Sequence, residues 1–238
     1  MKRLLFSVVI GALLLVGVAG QVALARQRPG ATAAMDESVI ATLGGFRSLA
    51  AEVIWFRADR LQDEGRFGEL VQLATMLTYL EPHDTEVWSY AAWNLAYNIS
   101  VRMPREEDRW PWVHQGLRLL RDQGLRWNPR EADLYRELAF LFELKMGVKE
   151  NDTAAPLYQA EWRKIVEDVR ARNAWEELAM EPEKMAEVER VYGVSDWTSP
   201  FASALYWAHQ GLPYAAPRQK IFLNEAIRQS KNLYDKGN

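Results

Sequence analysis

The chain has no cysteine, which excludes a disulfide framework and a thiolate metal site. Histidine is nearly as scarce. His83, His114 and His209 lie far apart, and none falls in the H-E-x-x-H or H-x-H spacing that places two imidazoles on one metal. Neither charge predominates: 29 basic residues stand against 32 acidic ones, and a net charge of −3 argues against a nucleic-acid binder living on phosphate contacts. Apolar/polar alternation is not sustained anywhere, and no hairpin dipeptide joins two strand-like runs, so a sheet is not expected. Also missing are G-x-S-x-G, G-x-x-x-x-G-K-[ST] and G-x-G-x-x-G, the minimal local signatures of serine hydrolases and nucleotide sites. No cofactor is implied.

What is present is ample apolar material. Apolar residues make up 49% and charged residues 26% of 238, the balance of a folded chain with one or two domains. Ten tryptophans need an explanation. The N-terminus stands apart: Lys2 and Arg3 precede an uncharged run, Leu4 to Ala25, ending in Ala23-Leu24-Ala25. This reads either as a secretory signal cleaved after Ala25 or as an uncleaved anchor, since about 20 apolar residues span a bilayer. Both readings put the remainder outside the cytoplasm, held at the cell membrane in one case and secreted or periplasmic in the other. Residues 26–42, RQRPGATAAMDESVIAT, read as a linker, and 43–238 as the folded domain.

Beyond Gly44 the pattern is helical almost throughout. Leu49, Val53, Phe56 and Leu61 recur at helical spacing before a break at Asp63-Glu64-Gly65. Arg66 to Leu80 carries apolar residues on more than half its circumference and is expected to pack on both sides. Glu81-Pro82 stops it, and Asp84 or Thr85 can cap the next helix, Glu86 to Ser100. A polar insertion, Ser100 to Pro111, precedes Val113 to Leu125, which Asn128-Pro129 ends. Ala132 to Met146, Ala155 to Arg172, Glu176 to Val191, Ser199 to Gly211 and Arg218 to Tyr234 complete the series.

Paired helices ending in proline, with Trp88, Ala92 and Leu95 in one unit and Tyr135, Leu138, Ala139 and Phe142 in the next, resemble a tetratricopeptide-repeat array of units about 34 residues long. Pro82 and Pro129 are 47 residues apart, 13 more than that period, which the insertion absorbs. The likeness covers roughly residues 50–145. In the third unit the second helix departs from the pattern, and the Trp207 pair fits it loosely. WNLAYNISV and ALYWAHQGL are also similar to stretches in a group of bacterial repeat proteins with an N-terminal hydrophobic segment, a likeness that carries no activity with it. The resemblance implies an all-α fold: a TPR-like superhelical array of antiparallel helix pairs, preceded by one N-terminal hydrophobic helix. Aromatic residues at first-helix positions would then fill the space between hairpins, accounting for about two-thirds of the tryptophans.

It also implies a binding groove on the first helices: Glu52, Trp55, Phe56, Asp59, Gln62 and Asp63; Glu86, Ser89, Tyr90, Trp93, Ala96 and Tyr97; Asp133, Arg136, Glu137, Phe140, Glu143 and Leu144. Trp55, Asp59, Glu86, Tyr90, Trp93, Asn94, Tyr97, Asn98, Arg136 and Phe140 are the expected contact residues. Such a lining is aromatic and acidic, suited to an apolar or basic protein segment rather than to a terminal carboxylate. Asn94 and Asn98, four apart, could bind a peptide backbone; the plainer alternative is a bond to a neighbouring loop.

The function expected is thus a non-catalytic scaffold, membrane-tethered or secreted. The alternative is an extracytoplasmic protein that binds or cleaves cell-wall glycan, which would need a raised carboxyl among Glu137, Glu143 and Glu161 in a cleft. A purely structural role through Arg102 to Pro111 is a third reading.

Overall fold

The computed structural model describes residues 49–237; the hydrophobic segment and linker expected over 1–42 lie outside them. Among the described residues every regular element is helical and none is a strand. The helices are α1 (49–63), α2 (Phe67–Leu80), α3 (Thr85–Trp93), α4 (Trp110–Arg118), α5 (Ala132–Phe140), α6 (Ala155–Arg172), α7 (Pro182–Tyr192), α8 (Pro200–Gly211) and α9 (Pro217–Gly237). No described helix is long and apolar enough to cross a membrane.

Local chemistry sets these bounds. Gly65 turns the chain between α1 and α2 at φ 68°, a left-handed conformation that glycine adopts without steric cost. The Asp84 carboxylate accepts the Glu86 N–H at 2.9 Å and caps α3. Prolines occupy the first turns of α4, α6, α7 and α8, where a missing N–H costs nothing. Helices α3, α4 and α5 each run on into a π-helical segment: Asn94–Ile99, Leu119–Gly124 and Leu141–Gly147.

Glycines show how the helices pair. A methyl group added at Gly116 of α4 would sit 2.9 Å from the Ala92 carbonyl oxygen and 3.2 Å from the Ala96 Cβ. One at Gly124 would meet Trp88 at 3.4 Å. Contacts move backward along α3 as they move forward along α4, so the two are antiparallel. In α1 and α2 the Ala58, Leu61 and Leu70 cluster and the Ala51 and Leu77 cluster give the same sense.

The third pair departs from the expectation. Gly211 of α8 lies against Tyr135 of α5, and Gly147 lies against Phe201 of α8. The antiparallel partner of α5 is therefore α8, with α6 and α7 inserted between them in sequence. Helix α8 is apolar or small nearly all round, and all but Phe201, His209 and Gln210 of its residues are buried. A helix with no solvent face belongs in a core.

Trp88 and Tyr135 occupy matching places. The Trp88 indole donates to the Pro82 carbonyl at 2.8 Å, and the Tyr135 hydroxyl donates to the Pro129 carbonyl at 2.9 Å. Each bond spans six residues, and each aromatic packs against a glycine of its partner helix. Asn128 adds a second donor to the Pro82 carbonyl at 2.8 Å, tying the end of α4 to the start of α3.

Packing differs from the sequence reading in two places. Leu61 is buried, but Leu49, Val53 and Phe56 are exposed, so periodicity marked an apolar face of α1 that the described residues leave uncovered. Met76 of α2 is likewise half-exposed, where burial on both sides was expected. Of the ten tryptophans, Trp88, Trp162, Trp175, Trp197 and Trp207 are buried, and Trp55 and Trp110 pack partly buried against the core clusters, so that seven, about two-thirds, are packing residues.

A buried acid shows how burial and hydrogen bonding compete. Glu143 in the π segment after α5 is 1% exposed, and its carboxylate accepts the Ser230 hydroxyl of α9 at 2.5 Å. Burial raises its pKa above the ordinary glutamate range, against the Ser230 bond. A carboxyl raised in the folded state stabilises most below its unfolded value, and that contribution declines as pH climbs through the folded value. Glu143→Gln is accordingly expected to leave stability at pH 7 unchanged or higher while flattening its decline as pH rises above the ordinary glutamate range. Urea titrations from that range upward check this; a loss of more than about 1 kcal/mol at pH 7 would contradict it.

Candidate functional site

Helix α3 and the π segment that continues it present Glu86, Tyr90, Trp93 and Tyr97 at successive steps of four, three and four, which places them along one stripe. Trp93, 38% exposed, stacks flat on Tyr97 at 4.1 Å with 14° between the rings. Its indole N–H donates to a Glu137 carboxylate oxygen at 2.8 Å, and Arg136 donates to the other at 2.9 Å. An exposed tryptophan is thereby held in one orientation by a ring beneath and a carboxylate at its edge. Further along, Trp55 of α1 lies 4.8 Å from Tyr90, and the Tyr90 hydroxyl donates to Gln62 at 3.2 Å. Burial, and then the nearby Asp59 charge, raise the Tyr90 pKa. The Arg136 guanidinium sits 5.7 Å over both Phe140 and the α9 residue Phe222.

The structure thus brings Trp55, Asp59, Tyr90, Trp93, Tyr97, Arg136 and Phe140 along the facing sides of α1, α3 and α5. Glu86 is exposed one turn before Tyr90. Asn94 is 1% exposed; its amide donates to the Tyr90 carbonyl at 2.9 Å, and its oxygen accepts Asn98 Nδ2 at 2.7 Å. Both bonds lie within this helical stretch and neither reaches a neighbouring loop; Asn94 is off the exposed face, while Asn98 is half-buried. Ala96 and Glu143 are buried, and Phe56 points to the uncovered side of α1.

One cluster was not foreseen. Lys145, in the π segment after α5, is 1% exposed and pairs with Asp152 in the connection to α6. Tyr158 donates to Asp152 at 3.1 Å, the Ala154 N–H at 3.0 Å and Arg109 Nη1 at 3.4 Å. The ammonium also lies 4.8 Å from the Tyr97 ring centroid. Burial lowers the Lys145 pKa; on Asp152 burial acts upward, but the Lys145, Ala154 and Tyr158 hydrogen bonds outweigh it and hold the carboxyl below its usual range. The sequence signal was a lone lysine inside FLFELKMG. Arg109 and a Thr153 bond to Glu106 fasten the insertion to this connection, and the stacked pair thus rests on a braced floor.

Elsewhere the groups are dispersed. His83 meets Trp127 edge-on, His114 stacks on Trp110, and His209 shares a hydrogen bond with Tyr192. Among the described residues no three His, Asp or Glu side chains are grouped to hold a metal ion. Glu137, Glu143 and Glu161 engage Trp93, Ser230 and Lys164 respectively rather than one another. A groove of about 510 Å³ between Gly65–Glu69 and Ile99–Met103 contains none of the expected contact residues. Comparison with protein-family models, curated proteins and solved structures found no match to this chain.

Proposed function

We propose that the protein is a non-catalytic interaction scaffold of the tetratricopeptide-repeat kind, membrane-tethered or secreted, that holds an apolar or basic segment of another protein against the α1–α3–α5 face. The observation that carries this reading is Trp93: exposed, stacked on Tyr97 and fixed by Glu137. An aromatic anchor that is rigid before binding loses little side-chain entropy on contact, which is the character of an interface hot spot. The exposed Asp59 and Glu86 beside the aromatic stripe favour a basic partner segment.

The test is the double variant Tyr90→Ala with Trp93→Ala, full-length, purified from detergent-solubilised membranes alongside wild type. Co-purification of the specific partner is expected to fall at least tenfold, with the far-ultraviolet circular dichroism unchanged. Equal recovery of the same partner by both proteins would refute the reading.

A further inference from the structure

We propose that the groove between the start of α2 and the insertion is a binding site for a small aromatic monocarboxylic acid, separate from the α1–α3–α5 face. Its volume is about 510 Å³. Ligand pockets commonly run from about 300 to 1,000 Å³ and are mostly apolar with a few placed polar groups. Phe67, Ile99, Met103 and Trp112 supply the apolar lining here, two of them as rings.

Arg102 supplies the polar group. Its guanidinium lies 4.0 Å from the Phe67 ring centroid, and it makes no ion pair or side-chain hydrogen bond among the described residues. Stacking on a ring holds the fork by its flat side and leaves its N–H edges free for two-point contact with a carboxylate. Arg66, the other guanidinium at the groove, is already taken by Glu64 and Glu69. One free cation matches an acid of one charge; a phosphate dianion would bring a second charge without a partner. The rings of Phe67 and Trp112 favour an aromatic body, since ring pairs attract beyond their area of contact.

The groove is also ready before a ligand arrives. Gly68 lies in its wall within α2, where glycine is a poor choice. No left-handed φ requires it, and a methyl added there would meet nothing within 4 Å. Its effect is to leave the wall bare where a ring can lie. The facing wall is braced: the Ser100 hydroxyl donates to the Ala96 carbonyl, Arg109 donates to Asp152 at 3.4 Å, and the Thr153 hydroxyl donates to Glu106. A wall fixed in advance has little freedom to lose on binding.

Titration calorimetry of naphthylacetate into the full-length protein in lipid nanodiscs, with empty nanodiscs as the blank, is expected to show one saturable site. The neutral naphthylacetamide, alike in shape, is expected to bind at least tenfold more weakly. Arg102→Gln should erase that preference for the acid, and Gly68→Phe should abolish binding of both while the thermal midpoint holds or rises. Tyr90→Ala with Trp93→Ala is expected to bind naphthylacetate like wild type, which separates this site from the aromatic stripe. Absence of saturable heat above the blank, equal affinity for acid and amide, or undiminished binding by Arg102→Gln or Gly68→Phe would each overturn the site. Arg102 is exposed, so its variant decides the matter even where Gly68→Phe fails to fold.

Discussion

Asp152→Ala is expected to destabilise the fold by about 3–5 kcal/mol, because removing one partner leaves a buried charge uncompensated. Lys145 would remain enclosed without a counter-ion, and the Tyr158 hydroxyl, the Ala154 N–H and Arg109 would each lose an acceptor. Guanidinium unfolding followed by tryptophan fluorescence should show a lower midpoint with an unchanged slope, the signature of lost stability without a more compact denatured state. Lys145→Met combined with Asp152→Asn, which removes both charges and keeps an acceptor, is expected to recover part of the loss.

The same site governs acid behaviour. Asp152 titrates in the fold below its unfolded value of about 3.9, so its contribution is complete above that pH and is lost as pH falls through the lower folded value. Stability of the wild type should drop steeply below about pH 4, and the drop should be shallower in Asp152→Ala. An unchanged acid limb would remove this carboxylate from the account.

Trp88→Ala is expected to cost about 3–5 kcal/mol, the range for truncating a large buried aromatic. Trp88 is 2% exposed, packs on Gly124 and donates to the carbonyl of Pro82. Its truncation would open a void where α3, α4 and the proline corner meet. Trp93→Ala, five residues along but exposed, should change stability far less while abolishing capture. Chemical denaturation of the two side by side checks the contrast, and similar losses in both would contradict the division between packing and contact tryptophans.

Much of this fold was legible because its determinants are local. Helical periodicity, the stops at Pro82 and Pro129, the turn at Gly65 and the matching roles of Trp88 and Tyr135 depend on neighbours within a few residues. The pairing of α5 with α8 was not legible: α6 and α7 intervene in the chain, and nothing in FELKMG indicates which distant helix will cover it. Leu49, Val53 and Phe56 recur at helical spacing and yet are exposed, since periodicity reveals an apolar face and not the presence of a neighbour. For the candidate site, the stripe of Glu86, Tyr90, Trp93 and Tyr97 was named through the resemblance to the tetratricopeptide repeat, which implies that those positions share a face. The burial of Asn94 and the Lys145–Asp152 pair were not legible, because both arise where π-helical turns meet a connection that reads as merely polar.

The most direct test of the central claim is site-specific photo-crosslinking in cells, with the photoreactive residue placed in turn at Trp93, at Tyr90 and at the exposed Gln123 between α4 and α5. The stripe should trap one partner protein from positions 93 and 90 through a segment rich in apolar or basic residues, and position 123 should not trap it. Trapping of the same products from all three positions, or of none from the stripe, would contradict a scaffold that works through this face.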